Sequence, residues 1–281
     1  MADDKWTPTQ VSRFKELGID PDIIHAEFST PEERNKTFQK IEKKQVKDQR
    51  EKLADLLTQT KKTQIQFLRE RLEQTLYQLG FTGVSTPTIT TKQALKKMTI
   101  DEDHPLTKQV FWLNDKQCLR PMLAPNLYSL MMDFGRLNQG PIRFFEIGAC
   151  FRKESSGARH TNEFTMLNLV EMGIPEQDRE ERLNFLAKQI MKAAQIDDYH
   201  FETEDSKVYG STLDVVAGPR HIEVASGAMG PHPLDAAWGI TDTWVGIGFG
   251  LERLLMTSKG EMSIGKWAKN LAYVDGICLS I

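Results

Sequence analysis

From Ile65 the apolar positions Ile65, Leu68, Leu72, Leu76 and Leu79 recur three and four apart, which predicts one buried stripe of a helix. Gly80 follows where a left-handed C-cap is wanted, and GFTGVSTPTI reads as a turn into an extended segment that Pro87 stops from pairing regularly. A second helix is expected at APNLYSLMM, with Pro125 in its first turn. Residues 144–173 hold two strand-like runs around a polar loop from Ser155 to Glu163. On the return strand Phe164, Met166, Asn168 and Val170 share one face, while Leu167 and Leu169 point the other way. In TWVGIGFGLERLLM, Val245, Ile247, Phe249 and Leu251 would face a core, and Gly246, Gly248 and Gly250 leave the opposite face nearly bare. Helices first, then strands with irregular connections, then a terminal helix, predict an α+β domain around an antiparallel sheet. The expected division is a helical segment over residues 1–60 and a larger domain over 61–281.

Composition narrows the class. The chain has 281 residues, 40% hydrophobic and 27% charged, the profile of a soluble globular protein with a substantial core. No apolar run is long enough to span a bilayer, and the polar start MADDKWTPTQ does not read as a signal peptide. Cys118, Cys150 and Cys278 are too widely spaced for a disulfide framework or a zinc site, which favours a reducing compartment, the cytoplasm. A net charge of -3 announces no nucleic-acid partner, so any such surface must be local. The stretch 34–62 is the place to look, with Lys40, Lys43, Lys44, Lys47, Arg50, Lys52 and Lys61, although a solvated helix face explains it equally well.

Taken alone, Arg152 and Glu154 could be a surface ion pair worth little. Their setting raises them: an arginine clamps phosphate oxygens, and Phe164 twelve residues on can stack on a base for roughly 1–3 kcal/mol. A strand face paved with glycine lets a flat ligand lie against the backbone. Arg253 falls in the first turn of the following helix, where the dipole disfavours a cation and an anionic ligand is the better explanation.

These residues resemble the class II aminoacyl-tRNA synthetases. GFTGVSTP at 80–87 is similar to motif 1, Phe151-Arg152-Lys153-Glu154 with Phe164 to motif 2, and GFGLER at 248–253 to motif 3. LRPMLAPNLY, EFTMLNL, VYGSTLDV and ASGAMGP resemble the pyrrolysyl branch of that class. The resemblance covers roughly residues 60 to 281 and implies the class II antiparallel sheet flanked by helices, working as a homodimer. It also implies ATP and Mg2+, a pyrrolysine-specific tRNA, and pyrrolysine as the amino acid. The catalytic residues carried over are Arg152 on the α-phosphate, Arg253 on the far end of the triphosphate, and Glu223, which with Ser226 would hold magnesium. Glu154 would read the adenine amino group and Phe164 stack on its ring. Ala124, Leu127, Tyr128, Met131, Met166, Val170, Trp244 and Gly246 would line the amino-acid pocket, with Asn168 bonding the side-chain carbonyl and Tyr209 closing over the ligand from a loop. His160 could touch ATP or tRNA, or be a solvated loop histidine. The tRNA-binding domain that precedes the core in some members is expected from a separate protein, or to be dispensable.

In a regular strand Glu223 and Ser226 point to opposite faces, so joint metal binding requires a bulge, which Gly227 would ease. None of the carried-over pocket positions is acidic, so a free lysine ammonium would be buried without a counter-charge. A neutral acyl-lysine instead gains roughly 2–3 kcal/mol from burying a ring of about 100 Å2. Two alternatives stay open: a class II ligase for phenylalanine or phosphoserine, and a catalytically silent relative that binds tRNA.

Overall fold

The computed structural model describes residues 5–19, 23, 25–137, 140–153, 161–206, 208–261 and 263–281. They form two compact units, residues 1–63 with 270–281, and residues 64–269. The last twelve residues thus group with the N-terminal segment.

In the first unit, α1 (Pro8–Leu17) begins with a reciprocal capping box between Thr7 and Gln10 and ends at Gly18, whose φ is +68°. Helix α2 (Pro31–Asp55) is capped by Thr30. A small core of Trp6, Phe14, Leu17, Ile19 and Cys278 holds this unit. Lys40, Lys43, Lys44, Lys47, Arg50, Lys52 and Lys61 are exposed, but Arg34 is buried and donates to the Lys5 carbonyl, so it is not part of that basic face.

The larger unit is built on a seven-stranded sheet. Its strands are β1 (Thr82–Gly83), β4 (Ile142–Phe151), β5 (Glu163–Met172), β6 (Tyr199–Ser206), β7 (Gly210–Ala217), β8 (Ile222–Gly230) and β9 (Trp244–Gly250), in the spatial order β1-β4-β5-β9-β8-β7-β6. A separate ribbon pairs β2 (Ile89–Thr91) with β3 (Gln117–Leu119). Every pair in the large sheet is antiparallel except β1 with β4, which is parallel.

Along the chain α3 (Gln64–Gln78) is followed by α4 (Lys92–Lys97), α5 (Ala124–Gly135), α6 (Arg179–Ala193), α7 (Asp235–Trp238) and α8 (Leu251–Ser258). Helix α3 buries Leu68, Leu72 and Leu76, the stripe its spacing predicts, and Gly80 just past it has φ +82°. These leucines join α6, α8 and Phe145, Leu167, Leu169, Val245, Ile247 and Phe249 in the main core. The opposite face of the same strands packs on α5 and α7 through Phe144, Val170, Trp244 and Tyr128. The two-residue period of the strands therefore separates core from cavity.

Two local expectations are corrected. Arg152 lies beyond the end of β4: its N–H still bonds the Asn162 carbonyl at 3.0 Å, but the Lys153 N–H leaves the hairpin for the Gln109 carbonyl at 2.7 Å. At the other side of the loop Glu163 is already strand.

Candidate active site

The bulge in β8 decides the geometry. Val215 pairs with Ala225 but Val216 with Glu223, so Val224 is the extra residue. That single insertion restores the parity between Glu223 and Ser226, and both side chains line the same cavity. Gly227 is not the bulged position. A Cβ there would stand 3.2 Å from both terminal carbons of Leu183, so its smallness serves helix packing on the other face.

The cavity has a volume of about 340 Å3 and is walled by Arg152, Phe164, Met166, Asn168, Tyr209, Glu223, Ser226, Gly248, Gly250, Glu252 and Arg253. A smaller arm of about 60 Å3 continues from it, sharing Ala124, Asn168, Tyr209, Ser226 and Gly248. Leu127, Tyr128, Met131, Val170, Trp244 and Gly246 close this arm, and none of its lining residues carries a charge. The sequence-predicted phosphate and base residues thus meet in the wide part, and the pocket residues meet in the arm, except Met166, which lines the wide part alone. Glu154 and His160 lie outside the described residues.

Arg152 donates from Nε to the Pro121 carbonyl at 2.9 Å, and its guanidinium carbon sits 5.3 Å from the Phe164 ring centre. Arg253, on the first turn of α8, reaches across to the Glu223 carbonyl at 3.0 Å and approaches its carboxylate at 3.8 Å. Two cations thus face one open volume. The Glu223 side chain is half-exposed, and the protein around its carboxyl removes part of its solvent. That loss of solvent pushes its pKa above the usual 4.5, Arg253 pulls it back, and Asp214 pushes it up again.

In the arm the Asn168 carboxamide lies flat on the backbone of Gly248, where a Cβ would come within 2.9 Å of Oδ1. That Oδ1 is buried without a hydrogen-bond partner, so a polar group is held ready in an otherwise apolar wall. Trp244 donates from Nε1 to Asp235 Oδ2 at 2.9 Å, and its ring meets Tyr128 edge-on at 5.7 Å. Gly230 makes room for this: a Cβ there would overlap the indole at 1.8 Å. Burial above all, then the charge of Tyr209 and Asp235, pushes the Tyr128 phenol far above its ordinary pKa, so it stays a neutral wall.

Sequence reasoning passed over two elements. Glu252, 1% exposed, accepts the Thr165 N–H at 2.9 Å with both carboxylate oxygens. The pairing of β5 with β9 ends at Met166 and Gly250, so Thr165 is the first residue past the ladder, and Glu252 satisfies its N–H from the neighbouring helix. Its signal was an acid two residues past a strand end. The second is a buried pair, Arg120 with Glu146 at 2.8 Å, each under 5% exposed. Arg120 also bonds the Ala149 and Thr86 carbonyls, Thr86 bonds Glu146, and Asn126 on α5 bonds Thr86 and Pro87. This network ties α5, and so the pocket wall, to the segment after β1. Gly148 is its silent member, since a Cβ would lie 2.2 Å from the Arg120 guanidinium.

Such a sheet, with a nucleotide-sized cavity between two arginines, is that of a class II aminoacyl-tRNA synthetase core. The family model described as "tRNA synthetases class II core domain (F)" matches residues 49–271. The crystal structure of pyrrolysyl-tRNA synthetase from Desulfitobacterium hafniense is similar with a TM-score of 0.91 and 50% identity, over 99% of this chain and 99% of that one. A second structure from that organism, of PylSc, a pyrrolysyl-tRNA synthetase, gives a TM-score of 0.88 and 48% identity over 99% and 96% of the two chains. The chain belongs to the pyrrolysyl-tRNA synthetase family.

Proposed function

We infer that this chain activates pyrrolysine with ATP and transfers it to its tRNA, with the wide cavity taking the nucleotide and the uncharged arm taking the amino-acid side chain. The observation that carries the division of labour is the arm itself, which offers Asn168 and no charge. A lysine ammonium there would forfeit its hydration with no counter-ion, whereas an acyl-lysine is neutral and presents a carbonyl to the amide.

In the first step the amino-acid carboxylate attacks the α-phosphorus, the bond to the bridging oxygen breaks, and pyrophosphate leaves. In the second a ribose hydroxyl of the tRNA terminus attacks the carbonyl carbon and AMP leaves. No enzyme nucleophile enters either step. Arg152 takes the α-phosphate and the new anhydride, and Arg253 takes the far phosphates, so negative charge meets fixed cations in a shielded site. Phe164 stacks on the adenine, and Glu154 reads its amino group. Tyr209 covers the ligand. Holding the two reactants in line contributes roughly 7–11 kcal/mol of the acceleration.

Glu223 and Ser226, brought together by the bulge, offer oxygen donors of the hard kind that Mg2+ prefers, and Asp214 adds negative charge behind them. The residues fit the ion. When bound it would draw the triphosphate into place and neutralise it. We place the protein in the cytoplasm as a homodimer, with the exposed lysines of α2 on tRNA phosphates and a separate tRNA-binding protein as a further partner. Three buried free thiols suit a reducing compartment.

The test is amino-acid-dependent exchange of pyrophosphate into ATP, comparing pyrrolysine or a bulky Nε-acyl-lysine with lysine, phenylalanine and phosphoserine. Exchange with the acyl-lysine alone is expected. Exchange with phenylalanine or phosphoserine instead would overturn the pocket reading.

A further inference from the structure

A second group of metal-ligating side chains lies at the outer edge of the sheet. His200 and Glu202 are two apart on β6 and so share a face, and His221 comes from the turn between β7 and β8. Their ligand atoms all lie within 4.8 Å of one another. His200 Nε2 and Glu202 Oε1 are 2.6 Å apart, and the two imidazole centres are 5.5 Å apart. We propose that these three residues form a binding site for a zinc-class divalent transition ion, separate from the catalytic cavity.

The backbone raises this above chance proximity. The backbone of His221 is left-handed, with φ +49°, a conformation that costs a non-glycine residue energy and concentrates at functional positions. The turn that imposes it is pinned by Gly218 N–H to the Asp198 carbonyl at 2.9 Å and by His221 N–H to the Gly218 carbonyl at 3.1 Å. The imidazole is therefore delivered to β6 by main-chain bonds.

The donor set selects the ion. Two imidazoles and one carboxylate suit zinc and its neighbours, with a water in the fourth position, and do not suit magnesium. Ligand bonds of about 2.0–2.2 Å need the ligand atoms closer than 4.8 Å, and the side chains of His200 and Glu202, 49% and 39% exposed, have room to rotate inward. A bound ion would clip the turn to the edge strand and blunt an otherwise open edge.

The experiment uses the full chain without a histidine tag, stripped with chelator, and titrated with zinc by calorimetry and by thermal unfolding. One zinc per chain and a raised unfolding midpoint are expected. His200→Ala and His221→Gly should each weaken zinc at least tenfold and abolish the thermal shift, while unfolding in chelator stays cooperative. His221→Gly is chosen because glycine accepts the left-handed backbone. Glu223→Gln should leave zinc binding intact, and pyrophosphate exchange with magnesium should be unchanged in His200→Ala. Wild-type affinity in the His200→Ala/His221→Gly double variant, no zinc bound by the wild type, or loss of zinc in Glu223→Gln would each overturn the proposal.

Discussion

His232 holds Tyr209 through the Tyr209 main-chain carbonyl, with the two rings edge-on at 5.7 Å. Nδ1 accepts the Leu234 N–H at 3.2 Å, which leaves Nε2 as the donor to the Tyr209 carbonyl and fixes the neutral tautomer. The His232 backbone is in turn anchored to Asp235 Oδ2 at 2.7 Å, the oxygen that also accepts from Trp244. One buried carboxylate thus sets both the cover and the end wall of the arm. His232→Leu should free the Tyr209 segment and lose one hydrogen bond, about 0.5–1.5 kcal/mol. Pyrophosphate exchange should show the KM for an acyl-lysine rising roughly two- to tenfold with the KM for ATP unchanged.

Asn168 and Arg253 serve opposite ends of the site, so their variants should separate cleanly. Asn168→Ala removes the polar group of the arm and should raise the acyl-lysine KM by roughly two- to tenfold, the worth of one neutral hydrogen bond. Arg253→Ala should raise the ATP requirement instead. Equal effects of both variants on both substrates, measured by exchange kinetics, would contradict the two-part cavity.

The Arg120–Glu146 pair is enclosed, and removing one partner strands the other. Arg120→Met should cost about 3–5 kcal/mol in urea unfolding, and Arg120→Met with Glu146→Leu should recover much of it. Gly148→Ala should fall between wild type and Arg120→Met, because the added methyl displaces the guanidinium without deleting it.

Glu223 makes a prediction with a definite sign. Its pKa is raised on folding by burial and by Asp214, so the folded state holds its proton to higher pH than the unfolded chain does. The folded state then binds more protons between 4.5 and the raised value, and stability falls as pH rises through that window. Glu223→Gln should therefore raise the unfolding midpoint at pH 7 to 8 in the absence of magnesium, with the gain shrinking towards pH 4. Thermal scans across pH check it. The same variant should raise the magnesium requirement of exchange, the trade expected where a site is kept at a cost to stability.

Much of the larger unit was legible because its signals are local. The leucine stripe of α3, Gly80 past its end and the glycine-alternating β9 each carry their own periodicity, and the structure follows them. The two faces of β5 also read correctly, since Leu167 and Leu169 enter one core and Val170 the other. What stayed hidden depends on partners distant in sequence. Nothing near Arg120 announces Glu146 or the space over Gly148. The end of β4 is set by Gln109, 44 residues before Lys153, which captures its N–H. The need for a bulge in β8 was visible from the spacing of Glu223 and Ser226, but its place was not, because Gly227 looked like the yielding residue and in fact packs on Leu183.

The extra residue at Val224 makes β8 a strand whose two halves are out of step by one. Everything after it is phased to the arm and everything before it to the phosphates. One residue inserted between Glu223 and Ser226, with the single bulge kept, would turn Glu223 inward. Insertions in β8 are therefore costly, so new amino-acid specificities should be sought on α5 and β5, where a side chain can change size without shifting the phase of its neighbours.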